Sequence, residues 1–165
     1  MLIVFGGLPG TGKTTIAQAL ARRLSATYLR IDEIEQALMA GGFSAADIGG
    51  SGYLVANALA RSNLANGCAV VADCVNPVAE SRAGWRATAD FSRTPLLEIE
   101  VICSNPDEHR RRIEGRQADI SGHDLPTWDD VLSHDYIPWT EPRLLIDTAE
   151  LSAQQAVELV EQHLA

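Results

Sequence analysis

The decapeptide GGLPGTGKTT at residues 6–15 follows directly on the apolar run LIVF at residues 2–5. Few stretches restrict a fold more. Residues 7–14 read G-x-x-x-x-G-K-T, a pattern whose glycines let the backbone curl around phosphate oxygens where side chains would clash. The loop amides then point inward, and the helix that follows adds its positive end. Such a loop needs a strand before it and a helix after it. LIVF reads as the strand, and Ile16, Ala19, Leu20 and Leu24 recur at helical spacing behind the loop. Gly7, Leu8, Pro9, Gly10, Thr11, Gly12, Lys13, Thr14 and Thr15 are therefore expected to hold ATP. Lys13 would place a point charge on the outer phosphates, and the Thr14 hydroxyl would ligate Mg2+.

The same alternation runs through the chain. Strand-like segments at 2–5, 27–31, 68–72, 96–103 and 143–146 are separated by helix-like ones near 13–24, 32–40, 51–65, 77–91, 106–117 and 151–164. Gly41-Gly42 and Asn66-Gly67 stand where helices should stop. Runs such as CAVVAD and LLEIEVIC suit a sheet covered on both faces, so the pattern predicts an α/β fold with a parallel sheet between helical layers. With 165 residues and no repeat or linker, one domain spanning 1–165 is expected. Ligands of such sheets collect at the carboxyl ends of the strands.

Composition narrows the partners. The net charge is −9 with only 13 Lys and Arg, which argues against a surface for long nucleic acid. No apolar run is long enough to span a bilayer, and no basic segment precedes the first strand, so a cytoplasmic protein without signal peptide is expected. Cys68, Cys74 and Cys103 lack ligand spacing and read as reduced thiols, while His123 and His134 have no partner that would suggest a metal or nucleophilic site.

Two aspartates end strand-like segments at the rim where the phosphates should lie. Asp32 closes TYLRID and Asp73 closes CAVVAD. A carboxylate there can take the proton of an attacking hydroxyl or hold magnesium. Asp32 is expected to orient or deprotonate the acceptor; it would equally serve as a helix N-cap, because Glu33, Ile34 and Glu35 follow at once. Asp73 is expected near metal and acceptor, with Asn76 at the turn behind it.

The segment SNPDEHRRRIEGR at 104–116 predicts a capped helix that carries Arg112 and Arg116 on one face. Arginines on a mobile lid, expected at about 110–127 with Gly115 and Gly122 as flexible points, would neutralise charge developing on a transferring phosphoryl group. The aromatic stretch PTWDDVLSHDYIPW would either wall the acceptor pocket or pack the lid base.

Taken in order, GLPGTGKTT, YLRIDEIEQAL, VVADCVNP with Arg82 and Arg86, HRRRIEGRQAD, and PTWDDVLSHDYIPW before LLIDTA resemble the small P-loop kinases of the AAA-type ATP-binding group, related to adenylylsulfate, gluconate, shikimate and chloramphenicol kinases. The resemblance implies a three-layer nucleoside-kinase-like fold, a five-stranded parallel sheet in the order 2-3-1-4-5, and γ-phosphoryl transfer from ATP to a hydroxyl. It also implies Lys13, Asp32, Arg112 and Arg116 as the catalytic set, Thr148 beside adenine, and Arg110 stacked on that base, a place Arg111 or Arg112 could take instead. Asp32, Asp73, Asn76, Arg82 and Arg86 would meet the acceptor, Arg82 and Arg86 serving an anionic one. Polynucleotide 5′-kinases of this superfamily carry an arginine one turn after the aspartate, and here Glu35 stands there. The first expectation is thus a small-molecule hydroxyl acceptor. A nucleotide or polynucleotide 5′-hydroxyl acceptor, or a nucleotide-driven switch without acceptor, are the alternatives.

Overall fold

The computed structural model describes residues 1–122 and 124–164. Its strands are β1 (Leu2–Gly6), β2 (Thr27–Arg30), β3 (Val70–Asp73), β4 (Leu96–Ile102) and β5 (Leu144–Asp147). Its helices are α1 (Lys13–Leu24), α2 (Ile31–Ala40), α3 (Ala45–Ile48), α4 (Ser51–Ala65), α5 (Ala79–Phe91), α6 (Pro106–Glu114), α7 (Trp128–Leu132) and α8 (Ala153–Leu164). All strand pairs are parallel, and the sheet order is β2-β3-β1-β4-β5, in agreement with the 2-3-1-4-5 expectation.

β1 is apolar at every position because it lies at the sheet centre, between β3 and β4, with both faces covered. Strand side chains alternate, so Ile3 and Phe5 join one core and Leu2 and Val4 the other. The first core packs Ile16 and Leu20 of α1 and Val157 and Val160 of α8 against Val71, Ile99 and Ile146. The second packs Ala56 and Ala60 of α4 and Trp85 of α5 against Val70 and Ala72.

Register brings the strand ends level. Phe5 pairs with Asp73, Asp73 with Arg30, and Ile102 with Asp147, so the turns after β1, β2, β3 and β5 open on one rim.

Most element boundaries fall within two residues of expectation, and each difference has a local cause. Cys68 is excluded from β3 because Gly67, at φ 81°, is still turning the chain. α5 starts at Ala79 because Asn76 is left-handed and Pro77 follows. α6 stops at Glu114 because Gly115 caps it, short of the expected 117. The unexpected α3 and α7 are single turns, each closed by a capping box, Ser44 with Asp47 and Thr127 with Asp130.

Ile99 is fully buried at the middle of β4. Ile99→Ala should lower unfolding free energy by about 2–5 kcal/mol, read as a reduced denaturant midpoint at unchanged slope.

Candidate active site

The loop between β1 and α1 ties down its first amide, Gly7 donating to the Val75 carbonyl at 2.9 Å, and leaves later ones open. Gly7 has φ 133°, and a Cβ there would overlap the Val101 carbonyl. Gly12 has φ 95° at the N-cap of α1 and offers no capping side chain. The amides of residues 10–14 donate to no group among the described residues. Its carbonyls, by contrast, are engaged. Leu8 accepts from the Thr11 hydroxyl at 2.9 Å and the Lys13 ammonium at 2.8 Å. Pro9 accepts from His109 Nε2 at 2.7 Å, and Thr11 from the Thr148 hydroxyl at 2.8 Å. Burial pushes the Lys13 ammonium below its ordinary pKa, and the Asp73 and Asp32 carboxylates oppose that shift.

A cavity of about 460 Å³ opens in front of the loop. Gly12, Lys13, Thr14, Asp32, Asp73, Arg112 and Arg116 all line it, as do Asp119, Asp124 and His134. A second depression of about 430 Å³ runs along the edge of α1, lined by Gly12, Thr15, Arg112 and residues 148–153. Residues far apart in the chain thus converge because the strand ends are level.

The structure corrects the local setting of Asp32. It neither ends β2 nor caps α2; Arg30 occupies the cap, and Asp32 is the second residue of the helix. Its side chain is 32% exposed, and its polar partner is Arg30 Nη2 at 3.5 Å. Asp73 is the last residue of β3, buried, with Oδ2 accepting from the Tyr28 hydroxyl at 2.7 Å. Burial, then Asp73, push the Tyr28 phenol up, so it remains a donor. The adjacent Cys74 thiol is pushed up by burial and bonds to the Phe5 carbonyl, so it is a neutral core group rather than a nucleophile.

The arginines separate by helix face. Arg112 donates to Glu108, to the Thr148 hydroxyl at 2.8 Å and to the Thr148 carbonyl at 3.0 Å, and it borders both cavities. Arg110 is two residues earlier, hence on the far side of α6. It pairs with Glu114 and lines a groove with Trp128 and Leu125, whereas Arg112 is the arginine that lies beside residues 148–153. Arg116 lines the main cavity and stands 3.6 Å from Asp119.

Arg82 and Arg86 do not reach the cavity. Arg82 is 1% exposed; it donates to the carbonyls of Asn76, Pro77, Ile137 and Pro138 and lies 4.3 Å from the Trp139 ring centre. Arg86 pairs with Glu98, a buried carboxylate of β4, and with Glu141. Both expected acceptor contacts are internal clamps, because charged groups buried in β4 and free carbonyls in the aromatic stretch need partners. Asn76 is fully buried too, with no partner for its side-chain amide among the described residues. The aromatic stretch divides: Trp139 packs on Gly6, Tyr136 bonds to Glu100, and His134 faces the cavity. His123 lies outside the described residues. Among those described, no residue of the 41–53 segment lines the cavity.

Sequence reasoning passed over His109, Tyr28, Arg30 and Asp119. One signal was available for two of them: Tyr28 and Arg30 alternate along β2 and so share a face. His109 and Asp119 carried none, since their partners, Pro9 and Arg30, are 100 and 89 residues away.

The family profile described as AAA domain matches residues 2–134. No curated protein matches the chain. Among solved structures, Mycobacterium tuberculosis APS kinase CysC in complex with AMPPNP and APS shares 24% identity at a TM-score of 0.69, over 99% of this chain and 97% of the other. Chaetomium thermophilum Kti12 in complex with ADP-AlF3 shares 21% at 0.69, over 100% of both chains. A gluconokinase from Sinorhizobium meliloti 1021 shares 20% at 0.63, over 98% and 94%. At these identities the likeness is one of fold. No helix among the described residues is long and apolar enough to cross a membrane.

Arg82→Ala should cost about 2–4 kcal/mol in a thermal or denaturant melt, because four carbonyls lose their donor, while ADP affinity by calorimetry stays within about twofold. A pH experiment addresses Glu35, half-buried one turn after Asp32 and packed on Gly52. Burial, then Asp32, push its carboxyl from 4.5 up to about 7. Between those values the folded chain holds a proton the unfolded chain has released, so this group's contribution lowers stability as pH rises through that window and levels off above it. Melting temperatures from pH 4.5 to 8 should show that decline in the wild type and a flatter profile in Glu35→Gln.

Proposed function

The chain belongs to the AAA domain family, and on that premise we propose that it is a kinase which transfers the γ-phosphoryl group of ATP to a hydroxyl of a small-molecule acceptor. One observation carries the reading: a loop with open amides, the strand-end carboxylate Asp73 and Asp32 in the first turn of α2 face the same cavity. Asp73 alone would serve a magnesium-nucleotide site, whereas a second carboxylate, Asp32, on the same cavity is more than nucleotide binding requires.

The open amides of residues 10–14 and Lys13 would bind the β- and γ-phosphates, with adenine along 148–153 under Arg112. Asp32 would orient the acceptor hydroxyl and take its proton as the oxygen attacks phosphorus in line. Arg116, and Arg112 once drawn from Thr148, would stabilise charge on the transferring group, and the 110–127 stretch would act as the lid that excludes water. The Thr14 hydroxyl and Asp73, whose second oxygen is left over from Tyr28, form the small oxygen donor set that suits magnesium, an ion that keeps several waters. When bound, Mg2+ would neutralise phosphate charge.

The acceptor reading draws on two negatives. Arg82 and Arg86 are engaged internally, and Glu35 stands where a phosphate-gripping arginine would be. Both favour an acceptor without a phosphate over a nucleotide or polynucleotide end. The gluconokinase among the structural neighbours is in keeping with that choice.

The test is an acceptor screen by ATP consumption, with mass spectrometry for a product heavier by one phosphoryl group. Asp32→Asn should lower kcat about 10²–10⁴-fold with ATP affinity nearly unchanged. A fully active variant, or hydrolysis that no acceptor accelerates, would leave only nucleotide binding standing.

A further inference from the structure

β2 ends on Arg30, whose side chain is 1% exposed. Its Nη1 and Nη2 each donate to one oxygen of Asp119, and Nη2 also stands 3.5 Å from Asp32 Oδ2. Glu33 lies further out at 3.9 Å, and Nε has no partner among the described residues. Asp119 belongs to the non-helical stretch 115–122 beyond α6, half-exposed and bordering the main cavity. The same stretch touches α2 again at Gly122, where a Cβ would come within 3.0 Å of Gln36.

A guanidinium this buried is stable only with carboxylate partners, and here they come from two different elements. The planar fork of arginine fixes both partners relative to one plane, which a lysine ammonium cannot do. Asp32 has no other polar side-chain partner among the described residues, so its aim follows the position of that plane. Without Asp119, the guanidinium loses the pair of bonds that holds the plane. A displacement of about 1 Å at a reacting group can cost on the order of 10² in rate.

We propose that Arg30 is a positioning residue for phosphoryl transfer: its guanidinium joins Asp119, in the segment beside the cavity, to Asp32, so that seating the segment sets the aim of the acceptor-side carboxylate. The inference rests on the kinase reading above. It explains why a strongly basic group is buried at the end of a short strand, next to the carboxylate that orients the acceptor.

The experiment uses the full chain and the variants Arg30→Lys, Asp119→Asn and Asp32→Asn, each checked by circular dichroism. Trypsin cleavage after Arg116, followed by mass spectrometry without nucleotide, reads how firmly the segment is seated. ADP release from Mg2+·ATP, with the acceptor found by the screen or with water, reads turnover. Arg30→Lys and Asp119→Asn should each speed cleavage about tenfold. Each should lower kcat about 10–100-fold with KM for ATP within about twofold. Placed in the Asp32→Asn background, neither should lower kcat further, because both act through Asp32. A purely structural Arg30 would give losses that multiply in that background, and this result overturns the proposal, as does unchanged cleavage in Asp119→Asn. Should Arg30→Lys fail to fold, Asp119→Asn alone and combined with Asp32→Asn carries the same comparison. Wild-type turnover in Asp32→Asn, or none in the wild type, overturns the kinase reading and Arg30's role in it, while the cleavage rates still report whether the link exists.

Discussion

An anion-binding loop has to hold its carbonyls still while its amides stay free. Here the division is clear: residues 10–14 have amides unengaged among the described residues, whereas the carbonyls of Leu8, Pro9 and Thr11 accept bonds from Lys13, His109 and Thr148. The fasteners come from α1, from α6 and from the turn after β5. Distant parts of the chain therefore contribute to a shape no local sequence could hold alone. Free amides in water would simply be hydrated; fixed in a concave loop at a helix start, they form a preorganised site for phosphate oxygens.

The sheet works toward the same end. A central β1 buried on both faces sets the loop on a rigid base, and level strand ends carry Asp73 and the first turn of α2 to the same cavity. β2 then supports both aspartates from one face, Tyr28 bonding to Asp73 and Arg30 to Asp32. The outer side of the sheet is tied by a different set. Buried Glu98 and Glu100 on β4 bring in Arg86, Arg143 and Tyr136, and Arg82 collects the carbonyls of 137–138. These ion pairs have to be complete, since a lone charge at those positions would be costly.

The strand order, the loop, the alternation of layers and the family were legible in the sequence. The loop and the layers are written in neighbouring residues, through glycine spacing, continuous apolar runs and helical periodicity, whereas the strand order and the family follow from the resemblance of the ordered motifs to small P-loop kinases. The arginines were less so. Arg82, Arg86, Arg110, Arg112 and Arg116 look alike in a sequence, yet one is sealed against carbonyls, one salts a buried glutamate, one lies on the wrong side of its helix, and two face the cavity. A long cationic side chain takes its role from whichever carboxylate or carbonyl the fold puts within reach, and for the two that are clamped those partners range from 5 to 56 residues away.

Sequence by itself thus determined the glycine-lysine loop and its place between a strand and a helix, because those residues are contiguous and act mostly through their own backbone. Only the tertiary structure decided how Asp32 is held, which arginine borders both cavities, and that Asp119 closes on Arg30. Those are pairings between distant side chains, and their energies depend on distance and burial that exist only once the sheet has formed.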